Sequence, residues 1–128
     1  MTIGKTIVVI DDDESVRIAI EGLVRSLGYP VCGFASAQHF LQSEVCGSTS
    51  CLITDIQMAG LNGLDLQARL VAEGRAPPVI FVTAFPDARN QARAQALGAL
   101  GFLNKPFDAQ ALVRCILQAL GETADGSG

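Results

Sequence analysis

Short apolar runs that stop abruptly on a polar side chain recur along this chain, and they limit what it can fold into. Thr6-Ile7-Val8-Val9-Ile10 stops on Asp11-Asp12-Asp13-Glu14, and residues 51–55, Cys-Leu-Ile-Thr-Asp, end on the carboxylate of Asp55. Val79-Ile80-Phe81-Val82 ends on Thr83, and Gly101-Phe102-Leu103-Asn104 runs into Lys105-Pro106. Continuous β-branched runs of this length read as strands buried on both faces, the condition of a parallel sheet covered by helices. Val31-Cys32-Gly33-Phe34 is a fifth, shorter strand in the same style.

Between the strands the period changes to helical. Val16, Ile20, Leu23, Val24 and Leu27 fall on one face, and Gly28 supplies a left-handed cap. Ser36 caps a second helix carrying Ala37, Phe40 and Leu41, and 47–50 reads as a loop before the strand at 51–55. Asn62 caps a third helix through Leu64, Leu66 and Leu70; Asp87 caps a fourth to about Leu97, closed by Gly98. That fourth helix is mostly Ala, Gln and Arg, so it should pack weakly and be the most mobile. Asp108 caps a fifth, with Leu112, Val113, Ile116 and Leu120 inward. Five strands alternating with five helices predict an α/β fold with a doubly wound, mostly parallel sheet.

The chain has 128 residues, which favours one domain over residues 1–121, with 122–128 a polar tail or linker stub. A net charge of −4 argues against direct nucleic-acid contact by this domain. No apolar run approaches the roughly 18 residues of a membrane span. Met1 leads almost directly into the first strand without a signal peptide, so a cytoplasmic setting is expected. Cys32, Cys46, Cys51 and Cys115 show no metal-type spacing and read as small residues in a reducing compartment, a Cys46–Cys51 disulfide being the lesser alternative. His39 reads as a surface residue.

In a parallel sheet, the exits of these strands share one edge, where open α/β folds bind their ligands. Asp11, Asp12, Asp55, Thr83 and Lys105 would converge there. Two carboxylates about 5 Å apart repel by roughly 3 kcal/mol at an effective dielectric near 20. Such a group needs a cation or bound protons. Hard oxygen ligands with open positions suit Mg²⁺, whose waters phosphate oxygens can replace. A metal, a nucleophilic carboxylate and a lysine together point to phosphoryl transfer onto an aspartate.

At this point a resemblance becomes plain. Val9-Ile10-Asp11-Asp12, Thr54-Asp55-Ile56-Gln57-Met58, Val82-Thr83-Ala84 and Asn104-Lys105-Pro106-Phe107 follow one another in the order and spacing of bacterial response-regulator receiver domains. The chain resembles that family over essentially residues 5–121. The resemblance implies a (βα)5 flavodoxin-like sheet in the order 2-1-3-4-5. It implies that Asp55 is the phosphoacceptor, loaded from a phosphohistidine on a sensor histidine kinase. Asp12, Asp55 and the backbone carbonyl of Gln57 would ligate Mg²⁺, and Asp11 would hold a metal-bound water. Lys105 would contact Asp55 at rest and a phosphoryl oxygen afterwards. Thr83 and Phe102 would be the switch pair, with Phe102 entering the space that Thr83 vacates. The peptide before Pro106 would be cis.

The resemblance further implies a domain that is a phosphoacceptor rather than an enzyme in its own right. Its partners would be the kinase, docking near Ile18, a second copy on phosphorylation, and an effector domain or output partner. Output would pass through the face of the fourth helix, fifth strand and fifth helix. Relatives usually carry proline at the position of Ala59. Phe85, bulky and apolar two residues after Thr83, would screen the acyl phosphate from water and slow its loss. The competing reading from another class is a phosphorylation-independent interaction module on the same fold. A Mg²⁺-dependent aspartyl phosphatase is a second, but the chain lacks that class's DxDx[TV] strand end and a cap domain.

Overall fold

In the computed structural model, the described residues are 5–84 and 86–121, with the backbone alone at 45 and 46. Residues 1–4, the side chains of Val45 and Cys46, Phe85 and residues 122–128, where a polar tail or linker stub is expected, lie outside that set.

The elements alternate strictly. They are β1 (Thr6–Ile10), α1 (Glu14–Ser26), β2 (Val31–Phe34), α2 (Ala37–Leu41), β3 (Thr49–Thr54), α3 (Gly63–Ala72), β4 (Val79–Thr83), α4 (Ala88–Ala96), β5 (Gly101–Asn104) and α5 (Ala109–Ala119). A 3-10 turn at Glu44–Ser48 precedes β3. The sheet order is β2-β1-β3-β4-β5 and every pairing is parallel. All five α-helices carry a side-chain cap at the residue before their first turn. Asp13 accepts from the N–H groups of Ser15 and Val16, Ser36 from His39, Asn62 from Asp65 and Asp108 from Gln110. Asp87 caps α4 in the same manner through Arg89.

The period-2 alternation of the strands divides the core in two. Val8, Ile10, Leu52 and Phe81 face α2 and α3, packing with Phe40, Leu64, Leu66 and Leu70. Ile7, Val9, Cys51, Ile53, Ile80 and Val82 face α1 and α5, packing with Ile20, Val24, Leu112 and Ile116. Each such aliphatic or aromatic side chain contributes about 1.5–3 kcal/mol on burial. Between them the two layers bury both faces of β1, β3 and β4, the strands whose exits carry Asp11, Asp55 and Thr83. Cys51 is a free, buried thiol within the second layer.

Two expectations need correction. β3 starts at Thr49, inside the stretch read as loop, and ends at Thr54 rather than on Asp55. Thr49 pairs with Thr6 across a register shift in β1, so the neighbouring strand recruits polar residues that an apolar run cannot reveal. Val113 is not in the core. It sits at the rim of the apolar face of α5 and, with Leu23 of α1, Ala109, Gln110 and Arg114, lines an open groove. α4 is sparsely packed as expected: Ala94 is its buried residue.

Candidate functional site: an acidic crevice closed by a lysine

The register delivers the acids side by side. Ile10 pairs with Thr54, so Asp11 and Asp55 leave the sheet on adjacent strands. Backbone bonds extend the ladder one residue beyond each strand. Asp55 N donates to the Ile10 carbonyl at 3.0 Å, Asp11 N to Phe34 at 3.1 Å and Lys105 N to Thr83 at 2.8 Å. The three site residues are therefore held by the sheet itself.

Asp11, Asp55 and Thr83 are buried, while Asp12 and Gln57 are exposed. Carboxylate oxygens of Asp11, Asp12 and Asp55 lie within 4.8 Å of one another. Lys105 Nζ lies 2.8 Å from Asp11 Oδ2 and 3.1 Å from Asp55 Oδ2, with its side chain 14% exposed. The other oxygen of each carboxylate is also engaged: Asp13 N donates to Asp11 Oδ1 at 2.9 Å and Ile56 N to Asp55 Oδ1 at 2.7 Å. Burial raises the Asp11 carboxyl above its ordinary value, more than Lys105 and the Asp13 N–H lower it. Burial pulls the Lys105 ammonium down, but its bonds to Asp11 and Asp55 outweigh this and raise it.

Thr83 and Phe102 share a sheet face. Thr83 pairs with Asn104 and Phe81 with Phe102, and alternate residues point the same way. The Phe102 ring is partly buried against the first core layer, its centroid 6.2 Å from that of Phe81. The Lys105–Pro106 peptide is cis. Ile18 is 56% exposed on the outer face of α1.

Two residues at the site escaped the sequence reading. Gly63 opens α3, and a Cβ there would overlap the Asp55 carbonyl oxygen; its N–H bonds to the Ile56 carbonyl at 2.9 Å. Its neighbour Asn62 advertised a cap, which masked this second role. Arg17 Nη1 donates to the Asp11 carbonyl at 2.7 Å. An arginine on a helix is indistinguishable in sequence from a solvated one.

Residues 7–117 match the family described as "Response regulator receiver domain". The chain belongs to that family. Among curated proteins it is 40% identical over 111 residues to "Nodulation protein W" of Bradyrhizobium diazoefficiens, covering 87% of this chain and 49% of the relative. It is 38% identical to "Transcriptional regulatory protein FixJ" of Azorhizobium caulinodans, covering 91% and 56%. The chain thus spans about half the length of these relatives. Among solved structures, a response regulator receiver protein from Burkholderia phymatum is 40% identical with a TM-score of 0.78, covering 94% of this chain and 98% of that one. The structure titled FixJ-N superposes with a TM-score of 0.80 at 27% identity, covering 91% and 94%. As a response regulator receiver domain, the chain is a signalling module of two-component type, and its flavodoxin-like fold is the one expected. No helix among the described residues is long and apolar enough to cross a membrane.

Proposed function

We propose that this receiver domain is a phosphorylation-activated switch in which Asp55 accepts the phosphoryl group of a sensor kinase phosphohistidine in the presence of Mg²⁺. The observation that supports this most is the crevice itself: three carboxylates within 4.8 Å, two of them buried, with one lysine bridging Asp11 and Asp55. The donor set is all hard oxygen and leaves positions open, which fits Mg²⁺. Asp12, Asp55 and the Gln57 carbonyl would ligate the ion, and Asp11 would hold one of its waters. When bound, the ion supplies positive charge against the phosphoryl oxygens.

An Asp55 oxygen attacks phosphorus, and the P–N bond breaks with its electron pair passing to the imidazole. The imidazole leaves neutral when its other nitrogen carries a proton. Lys105, already beside Asp55, transfers its ammonium from carboxylate to phosphoryl oxygen. The phosphoryl group adds about 1.5–2 negative charges and new acceptors, toward which the Thr83 hydroxyl turns. Phe102, on the same sheet face, follows inward, and the surface of α4, β5 and α5 changes. The kinase docks on the α1 face bearing Ile18. The altered surface passes the signal to a second copy or to an effector of the kind implied by relatives named as transcriptional regulators. The domain handles its own phosphoryl group and turns over no other substrate.

Incubation with a small phosphodonor, with and without Mg²⁺, followed by intact mass tests this reading. One added phosphoryl group in the wild type with Mg²⁺, and none in Asp55→Asn, is expected. No addition to the wild type would favour a phosphorylation-independent interaction module instead.

A further inference from the structure

Arg17 touches the backbone of a site residue without belonging to the acidic set. Its Nη1 donates to the Asp11 carbonyl at 2.7 Å, a charge-assisted bond reaching from α1 back over the exit of β1. The side chain is 18% exposed, and its other contact, Nη2 to Glu14 Oε2 at 3.9 Å, is long and solvated. The Asp11 carbonyl is what anchors the guanidinium.

That carbonyl belongs to the peptide joining Asp11 to Asp12. Asp11 N is fixed by Phe34, Oδ1 by Asp13 and Oδ2 by Lys105. Arg17 holds the remaining polar group, and with it the plane of the peptide that aims the Asp12 side chain. Asp12 is exposed and has little packing of its own to set that direction.

Gly33 of β2 makes room for this reach. A Cβ there would overlap Glu21 Oε2 and stand 3.3 Å from Arg17 Cδ. The Glu21 carboxylate is the free end of a flexible side chain and can swing aside. The Arg17 stem, tied at its far end to the Asp11 carbonyl, is the less free of the two to move.

We infer that Arg17 is a positioning residue for the divalent-cation site: it locks the Asp11–Asp12 peptide so that both carboxylates face one ion, in space left by Gly33. This rests on the reading of Asp11, Asp12 and Asp55 as that site. It also inverts the sign that charge alone predicts. A guanidinium near a cation site repels the ion, so its removal should tighten binding by Coulomb's law. Loss of a positioning group should weaken binding.

The test is titration of the intact chain with Mg²⁺ alone, followed by backbone amide shifts, with thermal unfolding in the absence of Mg²⁺ as the control for folding. Arg17→Met should weaken Mg²⁺ about tenfold, the low end of the effect of partners that orient metal ligands. Arg17→Lys, which keeps one donor within reach, should recover most of that loss. Gly33→Val, which changes no charge, should weaken Mg²⁺ several-fold, and it decides the matter should Arg17→Met not fold. Equal or tighter binding by Arg17→Met, or no recovery in Arg17→Lys, overturns the inference while the cation site stands. Absence of Mg²⁺ binding by the wild type overturns the cation site itself, and the inference with it.

Discussion

Lys105 lies closer to Asp11 than to Asp55, at 2.8 Å against 3.1 Å. The lysine is therefore the counter-ion of the acidic crevice as a whole, rather than a partner of Asp55 alone. On the proposed reading, a divalent ion drawing on the same carboxylates would weaken its hold and free it to follow the phosphoryl group.

Lys105→Met should accordingly destabilise the domain without Mg²⁺ by about 2 kcal/mol, less than the 3–5 for a fully buried pair because the ammonium is partly solvated. Mg²⁺ should then stabilise the variant more than the wild type. The lysine is raised from 10.5 in the folded state. Its contribution is therefore fully present below 10.5 and lost as pH rises through the higher folded value. Thermal denaturation from neutral to strongly alkaline pH should show that loss in the wild type and not in Lys105→Met.

Asp11→Asn should act in the opposite direction. The Asp11 carboxyl is raised from 3.8, chiefly by burial, so the native state binds its proton more tightly than the unfolded chain. Stability from this group is greatest below 3.8 and falls as pH rises through the folded value, leaving a cost at neutral pH. Asparagine keeps the acceptor for the Asp13 N–H and sheds the charge. The variant should gain on the order of 1 kcal/mol in Mg²⁺-free denaturation at neutral pH and lose most of the stabilisation that added Mg²⁺ confers. A loss of stability at neutral pH would show that the Lys105 pair outweighs burial.

Much of this was legible in the sequence. The strand exits carried Asp11, Asp55, Thr83 and Lys105 because parallel strands need no polar residue there, and four of the helix caps were written in Ser36, Asn62, Asp87 and Asp108. What stayed hidden depended on neighbours distant in sequence. Thr49 is in β3 only because Thr6 lies beside it. Val113 has an apolar side chain at the edge of a face, where the placement of α1 decides its burial. Arg17 and Gly63 earn their roles from a carbonyl that no pattern of side chains encodes.

Gly63→Ala is a sharp test of that last point. The added methyl would overlap backbone, the Asp55 carbonyl oxygen, and lie 3.2 Å from Ile56 Cα. The same oxygen accepts the Thr54 hydroxyl at 2.9 Å, so it has little freedom to retreat. A loss of about 2–4 kcal/mol in chemical denaturation is expected. A loss below 0.5 kcal/mol would mean that the turn before α3 shifts freely.

Gln67 offers a contrast at the join of α3 and α4. Its Nε2 donates to the Ala94 carbonyl at a long 3.4 Å, and its buried Oε1 has no hydrogen-bond partner among the described residues. Gln67→Met removes the orphaned oxygen at similar volume. It should leave stability unchanged or raise it by up to about 1 kcal/mol in denaturant unfolding, since an unpaired buried acceptor costs more than a long bond returns. A loss beyond 1 kcal/mol would point to a bound water satisfying Oε1.

The most direct measurement is chemical mapping of the acceptor. The chain is incubated with Mg²⁺ and a small phosphodonor and reduced with borohydride, which converts an acyl phosphate to the alcohol, and its peptides are sequenced by mass spectrometry. The account predicts homoserine in place of Asp55 and unmodified Asp11 and Asp12. Reduction at another carboxylate, or at none while the protein is folded and Mg²⁺ is bound, would contradict it.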